Sequence, residues 1–244
     1  AVSLALLVAG ACISLGFWQL GRWHETRAAN DRLRAALAAP PLPLAAGAAG
    51  LRLAAVRGGR VRIDGRYDES RQVVLVGRTR AGGPGVHVVT PLLPDDGGPA
   101  ILVDRGFVPS PDAATARPGD VPEPGPRIVI GVVAPLERRP GDSLWRRAAG
   151  GNESLAVWSA RWLDPDSVVA AFPYRVAPLY VRQLPGPGVP ARPAREPARI
   201  ADPTIHLSYA VQWFFFALIA LIGPFILRRA RLRRGGDVHP GGTP

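Results

Sequence analysis

Few side chains in this 244-residue sequence carry reactive chemistry, and the most informative of them lie near its end. His206, Tyr209 and Trp213 stand in the run HLSYAVQWFFFA. Helical spacing puts His206, Tyr209, Trp213 and Phe216 on one stripe. A titratable imidazole beside aromatic rings suits a metal centre or a cofactor. Tyr209 and Trp213 suit an interfacial aromatic belt equally well. Spacing alone therefore leaves cofactor contact and helix packing both open.

The other candidates are weaker. His87 sits in the strand-like GVHVVTP, with Asp104 and Ser110 further along the chain. A hydrolytic triad needs more than proximity in sequence, and no nucleophile-elbow motif is present. The expectation for His87 is a strand residue facing solvent or a hydrogen bond. His24 reads as a surface residue and His239 lies in a Gly/Pro tail. All 30 basic residues are arginine, which excludes a Schiff-base lysine, a Ser-Lys dyad and a P-loop lysine. The single cysteine, Cys12, excludes a disulfide within the chain and a multi-cysteine zinc site. No His/Cys/acid cluster has metal-ligand spacing, and no catalytic residue is expected. The sequence has no methionine, so residues ahead of Ala1 are expected in the original product.

The net charge of +11 does not indicate nucleic acid. The tail from Arg228 onward contributes five arginines against one acid. The segment from Arg22 to Ile205 spreads 25 arginines evenly against 18 acids. There is no dense basic block and no nucleic-acid motif.

Two uncharged runs must position these residues. Residues 203–227 form a 25-residue apolar segment, and about 20 such residues span a bilayer core. Arg228-Arg229-Ala230-Arg231-Leu232-Arg233-Arg234 follows directly and marks a cytoplasmic end. His206 is then expected at the outer mouth of this helix. Residues 1–21 form the first span, ended by Arg22, with Trp18 and Trp23 at an aromatic-belt position. A cleaved signal peptide fits poorly, because the apolar run is long and lacks a small-x-small site before polar sequence. A lipoprotein signal at Cys12 lacks the usual larger aliphatic three residues earlier.

Between the spans lies one extracytoplasmic domain. Residues 22–59 read as a helical extension over Glu25 to Leu37, stopped by Pro40, and then a small-residue connector. Residues 60–185 contain six strand-like runs: Arg60–Tyr67, Arg71–Arg80, Gly85–Leu93, Pro99–Val108, Arg127–Leu136 and Tyr174–Leu184. Asp164 and Pro165 open one short helix. Pro109 to Pro126 reads as a loop, 186–202 as a Pro/Arg linker and 228–244 as a basic cytoplasmic tail. The expected fold is an α+β membrane protein. Two transmembrane helices flank a mainly antiparallel β domain, a compact barrel or sandwich with a short helix.

Four stretches in order complete the reading: LGFWQLGRW at residues 15–23, GVHVVTPL at 85–92, LVDRGFVP at 102–109 and HLSYAVQWF at 206–214. With two flanking spans, they make the chain resemble the surfeit locus protein one family. Asp104 and Phe107 stand where the third motif usually has Asn and Trp. The resemblance implies a multi-pass protein of the bacterial cell membrane that assists assembly of haem-copper cytochrome c oxidase. It implies receipt of haem a and its placement in oxidase subunit I, with haem a synthase and the lipid bilayer as further partners. It implies haem binding at His206 and Trp213; helix periodicity adds Tyr209, and an imidazole nitrogen such as that of His206 is a common axial ligand of haem iron. The alternative is a structural assembly protein that holds the oxidase or the haem synthase without binding haem.

Beside the resemblance, Arg22 and Arg199 are candidate partners for haem propionates, since arginine pairs with carboxylates bidentately. Gln19 and Gln212, polar within apolar runs, are expected to hydrogen-bond across the helical hairpin. Gly223-Pro224 is expected to kink the last helix. Gly85 and Gly106 are expected to serve backbone geometry. Arg105, inside an apolar strand, is the domain residue expected to contact a partner; its structural alternative is an ion pair with Asp104 or another acid.

Overall fold

The computed structural model describes residues 2–44, 59–139, 146–147 and 156–235. Expectations for the connector over 45–58 and for the tail over 236–244, His239 included, fall outside the described residues. The chain divides into two units, one built of residues 1–32 with 200–244, the other of residues 33–199.

The first unit is a pair of long helices. α1 spans Val2–Ala38 and α2 spans Thr204–Gly235. α1 has 37 residues, about 55 Å at 1.5 Å per residue, against an apolar bilayer core of about 30 Å. The expected extension over 25–37 is thus continuous with the first span. α2 runs on through the arginine cluster to Gly235, beyond the boundary expected at Leu227, and Pro224 lies inside it.

The less exposed positions of α1 include Ala9, Cys12, Gly16, Gln19, Trp23, Thr26 and Asn30. Those of α2 include His206, Ala210, Trp213, Ala217 and Ala220. Both series alternate steps of three and four, which is the seam of two helices packed along their length. Gly16 gives the closest approach: a Cβ there would lie 2.6 Å from the Phe214 ring. Phe17 meets Phe214 edge-on at 5.4 Å. The helices are antiparallel, because contacts descend α1 as they ascend α2. Outside the seam the surface is apolar and uncovered, with Leu7 72% and Phe225 74% exposed. Both helices are long and apolar enough to cross a membrane, and lipid is the solvent that such a surface requires.

The second unit is a β domain. Its strands are β1 (Leu42–Pro43), β2 (Arg60–Tyr67), β3 (Arg71–Arg80), β4 (Gly83–Pro94), β5 (Ala100–Pro109), β6 (Pro126–Pro135), β7 (Arg146–Arg147), β8 (Ala156–Ala160) and β9 (Val176–Gln183). One short helix, α3 (Pro165–Ala171), precedes β9 and is capped by Asp164, whose carboxylate accepts from the Ser167 amide. Six of the strands match the expected runs to within two residues at each end.

The sheet order is β1-β2-β6-β9-β5-β4-β3-β8-β7, and β2 also pairs with β4. That extra pairing closes β2, β6, β9, β5 and β4 into a five-stranded barrel, with β3 and β8 extending from β4. Closure needs Gly65 opposite Pro94, where a Cβ would collide with the Leu93 backbone. The barrel interior holds Val61, Ile63, Leu92, Ile101, Val103, Val129, Val133 and Val181. A second core, around Val73, Leu75, Val89, Leu102, Leu163 and Phe172, lies on the other face of β3, β4 and β5. Three pairings are parallel: β1 with β2, β3 with β8 and β5 with β9. The sheet is therefore less uniformly antiparallel than the hairpin-like turns imply. Parallel partners need long crossovers, which carry no turn signature.

The expected linker over 186–202 requires a correction. Ala194 exchanges both backbone hydrogen bonds with Phe107, at 2.8 and 2.9 Å, and Arg195 is 6% exposed. Pro-rich composition suggested a spacer throughout, but residues 193–195 are part of the β domain.

Candidate functional site

The helix pair brings Gln19 and His206 together. The His206 Nδ1 lies 2.9 Å from the Gln19 side-chain oxygen. A carbonyl oxygen only accepts, so Nδ1 carries the proton of this bond, and Nε2 has no protein partner among the described residues. Gln19 thus bonds across the hairpin as expected, whereas Gln212 is an exposed residue off the seam. Trp213 is on the seam, half-buried, and touches the Phe216 ring at 5.9 Å. Tyr209 is 47% exposed beside it. His206, Tyr209 and Trp213 thus sit within two turns of each other, with one ring nitrogen uncommitted among the described residues.

Two residues flank this group. Arg22, one turn beyond Gln19, makes an exposed ion pair with Glu25 at 2.6 Å. Asn30 closes the same end of the pair: its amide donates to the Ala201 carbonyl at 2.7 Å and accepts from the Ala201 amide at 3.2 Å. Sequence reasoning missed Asn30. Its signal was available, since it falls on the three-four alternation of the buried positions of α1.

In the β domain, Arg105 is fully buried, and the expectation of partner contact is corrected accordingly. Residues 101, 103 and 105 of β5 alternate into the barrel. Arg105 donates to Glu123 from Nε at 3.2 Å and from Nη2 at 2.9 Å. Its Nη1 donates to Gln72 at 3.3 Å and to Thr90 at 3.2 Å, and Nη2 also reaches the Val121 carbonyl. Glu123 takes a second guanidinium, that of Arg195. Arg195 further donates to Gln183 at 2.8 Å and to the Pro193 carbonyl at 2.8 Å. The Tyr67 ring lies 5.2 Å from the Arg105 guanidinium carbon. Burial, and then the Glu123 charge, push the Tyr67 phenol well above its ordinary value.

This cluster offers no open valence to a ligand. Two buried cations share one carboxylate, and polar side chains and carbonyls take the remaining N–H groups. Such a cluster fixes geometry rather than binding partners. Glu123 and Arg195 were not singled out in the sequence because they lie in Pro-rich stretches that read as loop and linker.

Asp104 is not the partner of Arg105. It faces the opposite side of β5 and holds the His87 Nδ1 at 2.8 Å. An irregularity in the β4–β5 ladder, where Val88 pairs with Gly106 and Val89 with Asp104, leaves Arg105 as the extra residue. Gly106 occupies the bulge with φ +116°, and a Cβ there would strike the Ala194 backbone. Gly85 likewise packs against the Phe107 ring. Both glycines serve backbone geometry. Ser110 does not join His87 and Asp104: its hydroxyl donates to Asp112 at 2.6 Å and to the Thr115 carbonyl at 2.7 Å. Arg199 lines a cavity of the β domain.

Two long apolar helices flanking a β barrel, with a half-buried imidazole on the helix pair, define the class, and similarity in sequence supplies the lineage. The SURF1 family model matches residues 6–218, which include Gln19, Arg105, His206 and Trp213. The chain belongs to the SURF1 family. It is 29% identical to the uncharacterized SURF1-like protein Rv2235 of Mycobacterium tuberculosis, over 100% of this chain and 89% of that one. It is 27% identical to surfeit locus protein 1 of Takifugu rubripes, over 86% of this chain and 89% of the relative. With the Homo sapiens protein of the same name, identity is 28% over 86% of this chain and 71% of the relative. Membership is consistent with assembly of cytochrome oxidase at a membrane.

Proposed function

We propose that this protein is a non-enzymatic haem a carrier for cytochrome c oxidase assembly, and that it works from the outer face of a bacterial cell membrane. The observation that carries the reading is the Gln19–His206 bond. A hydrogen bond on one imidazole nitrogen fixes the tautomer and orients the other nitrogen, which is how histidine ligands are held toward metals.

The residues fit a haem. His206 is half-buried, and Tyr209 and Trp213, within two turns of it, offer rings for a porphyrin plane. A haem held there would supply an iron for the imidazole of His206 to bind. Iron ligated by a single imidazole remains transferable. The apolar flanks of both helices accommodate an isoprenoid tail in lipid. Arg22 holds its pair with Glu25 in solvent, where ion pairs contribute little, so it is free to exchange Glu25 for a propionate. Transfer to oxidase subunit I needs only a better ligand there. Haem a synthase is the source of the cargo.

Replacing the chromosomal gene by its His206→Ala form tests this. Oxidase that assembles but lacks haem a supports the carrier role. Oxidase with a full complement of haem a contradicts it and favours a protein that only holds the oxidase or the synthase.

A further inference from the structure

The β domain contains a cavity of about 400 Å³. This volume falls within the usual 300–1,000 Å³ of small-molecule sites. His87 and Asp104 lie in its wall, beside Leu75, Trp162 and Tyr180. Five arginines line it, against three acids, one of them Asp104. The other two acids are already engaged. Glu137 accepts from Arg139 at 2.6 Å, and Glu196 lies 3.9 Å from Arg80. Asp104 is committed to His87. Among the described residues, Arg161, Arg182 and Arg199 make no ion pair. The cavity therefore carries uncompensated positive charge.

Asp104 also decides what His87 presents. A carboxylate 2.8 Å from Nδ1 holds the proton on that nitrogen. Nε2 is left with a lone pair and no protein partner among the described residues. An Nε2 that carries no proton repels a bare oxyanion and accepts from an O–H. Guanidinium groups beside such an acceptor select an anion that carries a hydroxyl.

We propose that this cavity binds a small oxyanion bearing an O–H group, of the phosphate or hydroxycarboxylate class. Arg161, Arg182 and Arg199 hold the charge and His87 Nε2 accepts the hydroxyl proton. The inference stands apart from haem transfer, since it uses none of the residues of the helix pair.

Calorimetric titration of the full-length detergent-purified protein at neutral pH tests it, with four probes in two matched pairs. Phosphate and sulfate share size and geometry, but sulfate lacks the O–H; malate and succinate differ only by the hydroxyl. Either phosphate or malate is expected to bind saturably below about 10 mM, and to bind about tenfold more tightly than its hydroxyl-free match. Which pair responds separates a phosphate ligand from a carboxylate one. The double variant Arg161→Gln/Arg182→Gln changes exposed side chains and is expected to weaken binding about tenfold or more. His87→Leu, which has no acceptor, is expected to abolish the preference for the hydroxyl. Arg66→Gln, on the outer face of β2, is expected to bind as wild type does. Absence of saturable binding by both phosphate and malate overturns the proposal. So do double-variant affinities within twofold of wild type, equal affinity for the matched partners, or an Arg66→Gln loss as large as that of the double variant.

Discussion

Arg105 in the β domain and His206 on the helix pair are both polar side chains on otherwise apolar faces, and they differ in what is left over. The guanidinium of Arg105 meets Glu123, Gln72, Thr90 and a carbonyl, and the side chain is fully enclosed. The imidazole of His206 meets one partner, Gln19, through one nitrogen. The first arrangement is saturated and acts on shape. The second is half-used and has a free electron pair. Burial alone does not mark a functional residue; the count of unfilled hydrogen-bonding positions does.

This contrast sets an order of expected effects. Arg105→Ala leaves the Glu123 carboxylate with one cation where it had two and opens a void in the barrel. A loss of about 3–5 kcal/mol in stability is expected, read from thermal unfolding of the purified protein. A stability change under about 1 kcal/mol would place Arg105 outside the folding core and weaken the contrast.

Gly106→Ala should follow closely, by about 1–3 kcal/mol, because a left-handed φ of +116° and the Ala194 backbone both oppose a side chain. Differential scanning calorimetry reads this loss, and a neutral result would show that the segment around Ala194 moves freely.

Asn30→Ala removes the amide that clamps Ala201 and is expected to cost about 1 kcal/mol. Hydrogen exchange at the Ala201 amide should rise, while exchange in the barrel strands stays unchanged.

The smallest effect is one of pH. Burial, and then the hydrogen bond to Asp68, raise the Tyr174 phenol above its ordinary value, as burial does for Tyr67. A group with a raised folded value contributes stability that is whole below its unfolded value near 10 and lost as pH climbs through the folded one. The thermal midpoint is therefore expected to decline above about pH 10, and to decline less steeply in Tyr174→Phe. Equal slopes would remove Tyr174 from the account.

The strands were legible because alternation and valine content write themselves locally. Arg60–Tyr67 places Val61, Ile63 and Gly65 inward and Arg62, Asp64 and Arg66 outward. The cap at Asp164 was equally local. What the sequence withheld is the pairing of distant polar groups. Glu123 and Arg195 are 72 positions apart, and nothing in VPEPG or PAREP says that they meet. The same limit applies to Gln19 and His206, 187 positions apart. Each stood out by its own surroundings, but the bond between them follows only from the register of the two helices.

The visible absorption spectrum of protein purified from cells that make haem a bears most directly on the half-used imidazole. The account predicts a haem Soret band in the wild type and in Arg105→Lys, a weakened or shifted one in Gln19→Leu, and none in His206→Ala. An equal band in wild type and His206→Ala, or no band in either, contradicts it.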